Sequence, residues 1–538
     1  MVAVMMELSK DIPNKGISSR RFRYINFNTP ENWTISDIVG QQAIENKDRI
    51  AIEFLSGSVW TYSCCLKFAF EAAGKIKTLG IKKDEALAVM TESAERFIYF
   101  WLGAAILGVR LVALNTGLRG NVLSHQLRQS ESKLVVHDEG FSSSIQLCDS
   151  KVSHFSLRFL NSLKISELGE KETFCSKPSD ISCIMFTSGT SGPSKGVLMP
   201  EAHCILFGIG TIENYNLLEK DIFYICLPLF HANGLFMQLL ASFMAGGKAV
   251  IRDKFSASNW LEDIRKSAAT HTNLLGATAT FVIAQPETDN DKDHNLKVIG
   301  AAPLASTSEL QFRNRFSVES VIPLYGMTEV NIPLYGKLNE LGNGSCGKTY
   351  AKFFEVEIRN SITDQPVQFG ATGEIMVRPK LPFGFMAGYI GMAEKTIEAW
   401  RNFWFHTGDA GFQRSNGEIV FVDRIKDCIR RRGENISSYE VEQAFLKIKG
   451  VIEVAAYGVP AGGNLGMEEE VMVSLLLSNR EELDLAGIRE ESARNLPKYA
   501  IPRYIRVVNN FPKTMTGKVK KVELREEGIT TDTLDFVN

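Results

Sequence analysis

The sequence predicts an α/β protein whose helices alternate with the strands of parallel sheets. The chain has 538 residues, which is more than one hydrophobic core usually spans, so several domains or subdomains are expected. Hydrophobic residues make up 44% of the chain and charged residues 23%, as in ordinary globular proteins. Between residues 68 and 137 the apolar pattern switches repeatedly between helical spacing and short apolar runs. Alternation at this pitch is typical of βαβ units, which build parallel sheets.

The elements of this first α/β region can be predicted one by one. A capped helix start at residues 34–37 and a hairpin of two strands, 50–54 and 59–62, come first. The alternating elements are predicted as helices over 68–79, 95–107 and 122–130 and as strands over 86–90, 111–114 and 133–137. Residues 140–178 are more polar and predict a connector.

The rest of the chain predicts a second α/β region and then a change of structure. The second region runs from about residue 181 to 330. Beyond it, glycine and proline separate short strand patterns that favour a β-barrel-like subdomain. These strands are predicted over 354–358, 374–378 and 418–422. We therefore predict an N-terminal domain over 1–424, with two parallel-sheet subdomains and the barrel-like part, and a small α+β domain over 425–538.

Charge and cysteine content exclude several classes of protein. The formal net charge is -2, which argues against nucleic acid or an anionic membrane as a partner. Nine cysteines occur without a C-x-x-C pair, which argues against structural zinc or a disulfide framework and for a reducing compartment. The longest apolar run, residues 97–109, is shorter than the roughly eighteen residues that a transmembrane helix needs. These features predict a cytoplasmic protein without a transmembrane segment.

Residues 187–196 have a composition that no packed core requires, because they combine glycines, hydroxyl side chains, one proline and Lys195. Glycines let backbone N–H groups approach an anion closely, and hydroxyls and a lysine add donors and positive charge. The stretch therefore predicts a loop that binds polyphosphate. Gly196 follows Lys195 at the position where a Walker loop has Ser or Thr, so this is not a Walker loop. A polar hairpin turn is the alternative interpretation.

Two further motifs lie at the ends of predicted strands. His231 lies close to Gly234, and a packed or capping histidine is the plainer interpretation of it. Tyr325, Thr328 and Glu329 offer a ring, a hydroxyl and a carboxylate in close succession. A nucleotide site needs such groups to stack on adenine, to bind phosphate and to hold Mg²⁺. Taken alone, the second motif fits an ordinary strand end equally well.

The last third of the chain adds three weaker motifs. Asp409 lies in a predicted glycine turn, where its carboxylate can accept hydrogen bonds from both ribose hydroxyls, although an Asx turn would look the same. Arg424 and Lys426 lie where the strand-rich part gives way to the last region. Lys518 follows a turn near the C-terminus. Each motif is weak alone, but all of them occur in one chain in a consistent order.

These motifs resemble those of the acyl-adenylate-forming, or AMP-binding, superfamily, which includes the acyl-CoA synthetases. The resemblance extends from about residue 34 to residue 525. Six motifs carry it in the family order, at 187–196, 325–329, 407–409, 423–426, 433–435 and 516–518. The order Pro193-Ser194-Lys195 and the triplet Leu275-Gly276-Ala277 are most similar to the carnitine/crotonobetaine-CoA ligase branch.

The resemblance implies that the loop at 187–196 binds the β- and γ-phosphates of ATP. The implied residues of this loop are Thr187, Ser188, Gly189, Thr190, Ser191 and Lys195. Glu329 would hold Mg²⁺ together with Thr190, and Thr328 would contact the α-phosphate.

The nucleoside and the reacting carboxylate have implied partners as well. Tyr325, beside Gly326, would stack on adenine, and Asp409 and Arg424 would bind the ribose. Lys518 would bridge the substrate carboxylate and the α-phosphate. The implied catalytic residues are thus Lys518, Glu329, His231 and Thr187.

The family also implies a pocket for the acyl group and a hinge. His231 would flank the carboxylate, and the implied pocket residues are His231, Phe236, Gly300, Ala301, Ala302 and Val330. Lys426 falls at the hinge about which the family's C-terminal domain rotates between two half-reactions. A single exposed turn can absorb the change in φ and ψ that such a rotation requires.

The implied activity is the ATP-dependent conversion of a small carboxylic acid to acyl-AMP, with release of pyrophosphate and then transfer to CoA. ATP, Mg²⁺ and CoA are therefore the expected cofactors. Two residues depart from the family pattern: Arg432 and Ala301 each replace a glycine. Arg432 motivates an alternative, a stand-alone adenylating enzyme that passes acyl-AMP to an amine, a carrier protein or another small nucleophile. The extra methyl of Ala301 favours a small or slender acid. A nucleotide-binding sensor on a ligase scaffold is a third interpretation.

Overall fold

The computed structural model describes residues 26–148, 152–187, 193–302, 306–427, 429–431, 434–460, 469–478, 484–494, 496–513 and 517–536. The chain divides into two units by contact density. The first unit contains the described residues up to Thr187, followed by Ser194–Glu355 and Arg378–Glu398. The second contains Val356–Val377 and the described residues from Ala399 onward. The domain boundary predicted at 424/425 stays a prediction.

Among the described residues of the first unit, seven strands form one sheet. The strand order is Gly388–Tyr389, Lys195–Pro200, Ile181–Thr187, Arg110–Ala113, Ala86–Met90, Ser132–His137 and Ser153–Ser156. The last five strands of this order pair in parallel. Lys195–Pro200 pairs antiparallel with both of its neighbours, Gly388–Tyr389 and Ile181–Thr187. This parallel core confirms the predicted α/β class.

A second sheet of the same unit has nine strands within the described ranges. Their order is Lys348–Thr349, Asn331–Tyr335, Ser320–Met327, Val298–Ala302, His271–Leu275, Ile222–Ile225, Lys248–Ile251, Ile50–Phe54 and Val59–Thr61. The strands from Ser320–Met327 to Ile50–Phe54 are parallel. In open parallel sheets, ligands bind beyond the carboxyl ends of the strands. Thr187 ends a strand of the seven-stranded sheet, and Met327 ends a strand of the nine-stranded sheet. A site is therefore expected beside these two residues.

Helices connect these strands. The α-helices up to residue 399 are Ile35–Glu45, Tyr62–Thr78, Ala94–Leu107, Gly120–Gln129, Ser142–Gln146, Leu157–Asn161, Glu201–Tyr215, Ala241–Met244, Ala257–Ser267, Gly276–Ile283, Ser306–Phe316 and Ala393–Ala399. A π-helix spans Asn233–Leu240, and short 3₁₀ turns span Pro30–Asn32, Glu139–Phe141 and Glu170–Glu172.

The longest apolar run belongs to the helix Ala94–Leu107, which is buried over most of its length. Ser93 caps its start by accepting a hydrogen bond from the Arg96 amide, and Gly108 ends it at a φ of 66°. Within the described ranges, no helix has both the length and the apolar character that crossing a membrane would require.

The helix Tyr62–Thr78 begins earlier than the sequence predicts. The predicted hairpin strand over 59–62 ends at Thr61, whose hydroxyl accepts a hydrogen bond from the Cys64 amide. A side-chain cap of this kind starts a helix wherever the following residues can continue it. The aromatic side chains of Trp60 and Tyr62 favour a strand, but in the structure the Thr61 cap starts the helix at Tyr62.

A four-stranded sheet belongs largely to the second unit, in the order Phe354–Arg359, Gly373–Pro379, Phe405–Gln413 and Ile419–Arg424. It stands where the sequence predicts a β-barrel-like subdomain. The glycine turn predicted around Asp409 is wrong in its local form, because these residues lie inside the strand Phe405–Gln413. Gly408 adopts a φ of 72° within that strand, so the glycine serves an irregularity of the strand and not its end.

The remainder of the second unit is α+β, as predicted. Ile429–Arg431 pairs with Glu434–Ile436, and a further sheet contains Val451–Pro460, Glu469–Leu477, Tyr504–Val507 and Leu534–Asp535. The helices Ser438–Leu446, Leu485–Ala493 and Lys521–Glu527 and a 3₁₀ turn at Lys498–Ala500 complete this part. Its core is aliphatic and aromatic, with Val441, Phe445 and Val473 fully buried.

Candidate active site

The predicted phosphate loop joins two antiparallel strands of the seven-stranded sheet. Thr187 ends the first strand, Lys195 begins the second, and the two residues lie opposite each other in the register. The sheet therefore places the hydroxyl and the ammonium at the two ends of the loop. The predicted residues Ser188, Gly189, Thr190 and Ser191 lie outside the described residues.

Glu329 follows the strand Ser320–Met327 and is buried, with 3% of its surface exposed. The Tyr389 hydroxyl donates a hydrogen bond to Glu329 Oε1 at 3.0 Å, and the Thr187 hydroxyl approaches the same oxygen at 3.4 Å. The predicted cation ligand and the start of the predicted phosphate loop thus lie side by side. Burying a carboxylate is costly unless it is hydrogen-bonded, and these two hydroxyls provide that compensation.

Tyr389 is a residue that the sequence analysis missed. Its short strand, Gly388–Tyr389, pairs with Lys195–Pro200, and the Lys195 ammonium lies 4.2 Å from the centre of the Tyr389 ring. A cation above an aromatic face at this distance is attracted by the ring electrons. The only signal in the sequence was a tyrosine after a glycine, which is too common to single out.

His203 is a second missed residue, and it lies beneath the motif at 325–329. Its ring is fully buried, with Nε2 2.8 Å from the Thr328 carbonyl oxygen and Nδ1 2.8 Å from the Gly384 carbonyl oxygen. Asn331 donates to the His203 backbone carbonyl at 2.9 Å. Burial lowers the pKa of this imidazole, and the two carbonyl oxygens oppose that shift. His203 therefore supports the backbone of Thr328 from below.

Tyr325 and Gly326 lie near the carboxyl end of the strand Ser320–Met327. Tyr325 is buried and pairs with Leu334, and the register shifts between Tyr325 and Met327. A side chain at Gly326 would meet the Asn331 carbonyl oxygen at 2.2 Å. Only glycine fits this close approach of two backbones, so the glycine shapes the segment that carries Thr328 and Glu329.

The residues predicted to line an acyl pocket are mostly buried. Phe236 lies in the π-helix and stacks on Phe207 at 6.2 Å between ring centres, and Ala301 and Val330 are also buried. Segments of π-helix are often found at functional sites. His231 is half-buried, and its ring meets the Phe230 ring edge-on at 4.7 Å.

Gly300 lies against a buried tyrosine. A side chain on Gly300 would meet the Tyr215 hydroxyl at 1.6 Å, which no structure tolerates. That hydroxyl donates to Asn273 Oδ1 at 3.0 Å, and Asn273 donates to Asn233 at 2.9 Å. The space beside Gly300 is therefore filled by a hydrogen-bonded tyrosine. Ala302, at the end of the same strand, is half-buried.

In the second unit, Asp409 and Arg424 lie opposite each other on adjacent antiparallel strands. The guanidinium Nε of Arg424 lies 2.8 Å from Asp409 Oδ1, and Asp409 is 2% exposed. Gly408, at positive φ, donates its amide to Glu374 Oε1 at 2.9 Å. The Thr407 hydroxyl donates to the Ile375 carbonyl oxygen at 2.6 Å and accepts from the Asp409 amide. This network fixes the carboxylate that the sequence assigns to the ribose.

Lys518 shares the electrostatic environment of this pair. The residue is exposed overall, yet desolvation of its ammonium lowers the pKa, and the positive charge of Arg424 lowers it further. The negative charge of Asp409 acts in the opposite direction. In the second unit, Asp409, Arg424 and Lys518 therefore lie close enough for the charges of the first two to shift the pKa of the lysine.

The predicted hinge lies next to them. Lys426 is exposed in the turn at 425–427, where the Asp427 amide donates to the Arg424 carbonyl oxygen. Arg525 pairs with Asp427 at 2.8 Å. Arg432, on which the alternative function depends, lies outside the described residues. Its neighbour Arg431 is a buried structural residue that pairs with Glu470 at 2.7 Å.

Comparison with known proteins places these arrangements in a family. The model of the AMP-binding enzyme family matches residues 39–390, and the model of the AMP-binding enzyme C-terminal domain matches residues 440–518. The chain belongs to the AMP-binding enzyme family.

Curated relatives of this AMP-binding enzyme span nearly its whole length. Long-chain fatty acid transport protein 6 of Mus musculus is 28% identical over 89% of this chain and 83% of its own length. A crotonobetaine/carnitine–CoA ligase of Salmonella paratyphi B is 26% identical over 91% of this chain and all of its own. The second name agrees with the branch that the sequence motifs resemble.

Solved structures share the fold of this AMP-binding enzyme. The o-succinylbenzoate coenzyme A synthetase MenE of Bacillus subtilis, in complex with AMP, has a TM-score of 0.81 at 23% identity. It covers 92% of this chain and 98% of its own. ATP-bound MatB of Rhodopseudomonas palustris has a TM-score of 0.81 at 23% identity, covering 94% and 99%. At these identities the likeness shows the fold.

The residues of the first unit fit a magnesium ion as the AMP-binding enzyme family would use it. Mg²⁺ prefers a carboxylate oxygen and keeps most of its coordination for water and phosphate. Within the described part of the chain, both hydrogen bonds that reach the Glu329 carboxylate end on Oε1. That pattern orients the side chain while leaving Oε2 for a cation.

Proposed function

We propose that this AMP-binding enzyme is an ATP-dependent acid:CoA ligase that forms AMP. The observation that carries the proposal is the meeting of Thr187, Glu329 and Lys195 around Tyr389, where residues from the two sheets of the first unit come together. A hydroxyl, a carboxylate and an ammonium in this arrangement suit the phosphates of a nucleotide. The crotonobetaine/carnitine–CoA ligase that matches 91% of this chain over its own full length supports the assignment of the reaction.

In the proposed first half-reaction, the substrate carboxylate attacks the α-phosphorus of ATP in line. The new bond joins the carboxylate oxygen to phosphorus, and the bond to the β-phosphate oxygen breaks to release pyrophosphate. Lys195 and the loop after Thr187 hold the leaving pyrophosphate, while Thr328 contacts the α-phosphate. Glu329 would hold a magnesium ion, which would neutralise part of the phosphate charge. Positioning and charge neutralisation supply the catalysis, because no protein nucleophile is required.

The nucleoside and the carboxylate are held by the residues that the family motifs assign to them. Tyr325 stacks on adenine and Asp409 accepts hydrogen bonds from the ribose, with Arg424 keeping the carboxylate oriented. Lys518 bridges the attacking carboxylate and the α-phosphate, and His231 flanks the carboxylate. The ion pair that the buried Asp409 forms supports this role, since a fixed carboxylate can bind two hydroxyls at once.

In the proposed second half-reaction, the thiol of CoA attacks the acyl carbon of acyl-AMP and AMP leaves. The thiol releases its proton to water, the carbon–sulfur bond forms, and the bond between the acyl carbon and the phosphate oxygen breaks, so that the oxygen leaves with AMP. The exposed turn at Lys426 serves as the hinge between an N-terminal domain ending at 424 and a rotating C-terminal domain. An acceptor other than CoA, such as an amine or a carrier protein, is the second candidate and rests on Arg432. The reducing compartment that the cysteines favour points to the cytoplasm.

A small or slender acid is the proposed substrate class. Tyr215 fills the space beside Gly300, and Ala301 adds a methyl to the same strand. Tyr215 shortens a pocket on the face of Gly300. The Ala301 methyl lies on the opposite face of the strand and is buried in the core with Trp260 and Phe312, so the narrowing that the sequence predicts for it is wrong. Because the name of the mouse relative refers to long-chain fatty acids, the test compares acids of different lengths.

The test is an ATP–pyrophosphate exchange assay on the purified chain, run over about fifty carboxylic acids graded by length, with AMP release measured with and without CoA. We expect acid-dependent exchange, strongest for short acids, and AMP release that requires CoA. Exchange with AMP release indifferent to CoA would support the alternative acceptor. Nucleotide binding without exchange for any acid would overturn the proposed enzyme activity.

A further inference from the structure

We propose that Tyr389 is a positioning residue that holds the Glu329 carboxylate and the Lys195 ammonium in place for magnesium-bound ATP. The proposal rests on the proposed function, because it assigns those two charges to the nucleotide. The Tyr389 side chain meets both charges at once. The hydroxyl reaches Glu329 at 3.0 Å, and the ring face lies 4.2 Å from Lys195.

The backbone around Tyr389 is anchored on both sides. The Ala387 amide donates to the Leu198 carbonyl oxygen at 2.8 Å, and the Ile390 amide donates to the Gly196 carbonyl oxygen at 2.9 Å. The Tyr389 amide donates to the Thr396 hydroxyl at 2.9 Å. These bonds tie the segment to the strand that begins at the loop lysine. With 5% of its surface exposed, the ring has little freedom to turn away.

The same segment also anchors the backbone of Glu329. The Met386 amide donates to the Glu329 carbonyl oxygen at 3.0 Å. Glu329 is thus held twice by residues 386–389, once through its backbone and once through its carboxylate. The hydrogen bond to Oε1 fixes the rotation of the carboxylate, which determines where Oε2 is directed. A ligand held at both ends binds a cation with less loss of conformational freedom.

The ring face provides a suitable resting place for Lys195. A cation above an aromatic ring is attracted, but more weakly than it is to a phosphate. The ring face therefore helps to hold the ammonium in position, and an incoming phosphate would attract it more strongly. The Tyr389 hydroxyl binds the Glu329 carboxylate, and the face of the Tyr389 ring contacts the Lys195 ammonium. One side chain therefore holds two opposite charges at separate positions. Without it, Lys195 and Glu329 would be drawn to each other, and each would be less available to the nucleotide.

The chain contains a matched arrangement that serves as a control. Tyr99 donates a hydrogen bond to Glu71 at 2.9 Å, and Lys75 lies 5.2 Å from the centre of the Tyr99 ring. These residues lie on the helices Tyr62–Thr78 and Ala94–Leu107 and belong to none of the predicted motifs. The same chemical change at Tyr99 therefore reports what the loss of a tyrosine hydroxyl does to folding alone.

The test compares Y389F and Y389L with the wild-type chain and with Y99F. ATP binding is measured by calorimetry with and without Mg²⁺, and ATP–pyrophosphate exchange is measured over a magnesium titration. For Y389F we expect the half-saturating Mg²⁺ concentration to rise about tenfold, since a hydrogen bond to a charged group is lost. ATP binding without Mg²⁺ should stay within about threefold, because the ring face remains.

Y389L loses both contacts, so we expect the magnesium effect and, in addition, about tenfold weaker ATP binding without Mg²⁺. Y99F should match the wild-type chain in both measurements. A magnesium dependence of Y389F equal to that of the wild type would overturn the proposal. So would equal losses in every parameter accompanied by a lower Tm, which is the result for a residue that only supports the fold. If the wild type binds Mg²⁺ and ATP but exchanges with no acid, the proposed function fails while the binding data still decide the role of Tyr389.

Discussion

Asp409 lies directly opposite Arg424 across two antiparallel strands, and Arg424 Nε is 2.8 Å from Asp409 Oδ1. The strand register alone produces this meeting, since the two residues are Cα partners in the ladder. Asp409 is buried, whereas the Arg424 side chain is 39% exposed. The arginine therefore fixes the orientation of the buried carboxylate before a ribose is bound.

Asp409→Asn should weaken ATP binding by about ten- to a hundredfold, because a neutral amide replaces a charged acceptor of two hydroxyl hydrogen bonds. The substitution preserves the shape of the side chain, so its main effect is on charge. The measurement is the KM for ATP in pyrophosphate exchange, with a direct binding titration alongside. Glu418→Gln is the control, because Glu418 pairs with Arg414 at 3.3 Å in the turn between the strands Phe405–Gln413 and Ile419–Arg424. An unchanged KM in Asp409→Asn would contradict the ribose role.

Lys518 should limit the reaction at high pH. Its ammonium is needed in the charged form, and desolvation followed by the charge of Arg424 holds its pKa below the usual value of 10.5. The folded chain therefore loses this proton at a lower pH than an ordinary lysine, and the rate of adenylation should fall on the alkaline side before pH 10.5. Lys518→Arg should move that decline to higher pH, because a guanidinium stays protonated. The pH profile of pyrophosphate exchange checks this.

Removing the charge at position 518 tests the same role more directly. Lys518→Ala should lower the rate of adenylation by about a hundred- to a thousandfold while ATP binding changes little, since the bridge acts on the reacting groups. Lys520→Ala, two residues away and paired with Glu523 at 2.7 Å, is the matched control. Equal activity of Lys518→Ala and Lys520→Ala would exclude the assigned role.

Glu201 should make the stability of the first unit depend on pH. Burial raises its pKa to about 8, although the Ile35 amide and the Ser182 hydroxyl act to lower it. The folded state binds more protons than the unfolded state between the ordinary value of 4.5 and about 8, so this residue makes stability fall as pH rises through that range. The glutamine of Glu201→Gln cannot ionise. The free energy of unfolding of this variant should therefore equal that of the wild type near pH 4.5 and exceed it by a few kcal/mol above about pH 8.

Chemical denaturation of the wild type and Glu201→Gln at several pH values measures that difference. Glutamine keeps an oxygen that can accept from the Ile35 amide, so the helix start at Ile35–Glu45 retains its partner. Glu219→Gln is the control, because Glu219 is exposed and forms only a surface pair with Arg49, which contributes little. A difference between wild type and Glu201→Gln that does not grow with pH would contradict the prediction.

Much of the fold could be predicted from the sequence. The strand Ala86–Met90 matches its predicted bounds, and the helix Ala94–Leu107 begins one residue before the predicted start. Apolar spacing is a local property, so such elements are visible in one sequence. Elements that depend on a cap or on neighbouring strands were harder. The helix start at Tyr62 and the strand Phe405–Gln413, with its irregular Gly408, are the two examples.

The candidate site could be predicted only where its residues form motifs. Glu329 and Asp409 lie in recognisable motifs, and the structure shows each held by a buried network. Tyr389 and His203 act through contacts made across long stretches of sequence, to Glu329 and to the Thr328 carbonyl oxygen. Neither residue has a spacing or a chemical type that marks it in the sequence. Such support residues are found only when the tertiary contacts are known.

The contact between Gly300 and Tyr215 should set the length of acid that the enzyme accepts. Tyr215→Ala removes the ring that fills the space beside Gly300, so we expect the ratio of kcat/KM for longer over shorter acids to rise by about ten- to a hundredfold per added methylene that the new space holds. Gly300→Ala should instead lower Tm strongly, because its methyl would lie 1.6 Å from the Tyr215 hydroxyl and 2.5 Å from Asn273 Oδ1. Gly140→Ala, where an added methyl meets nothing within 4 Å, is the control and should leave Tm nearly unchanged. If Tyr215→Ala folds and keeps the wild-type order of acids, the acyl group does not approach this strand, and the proposed preference for short acids must arise on another side of the site.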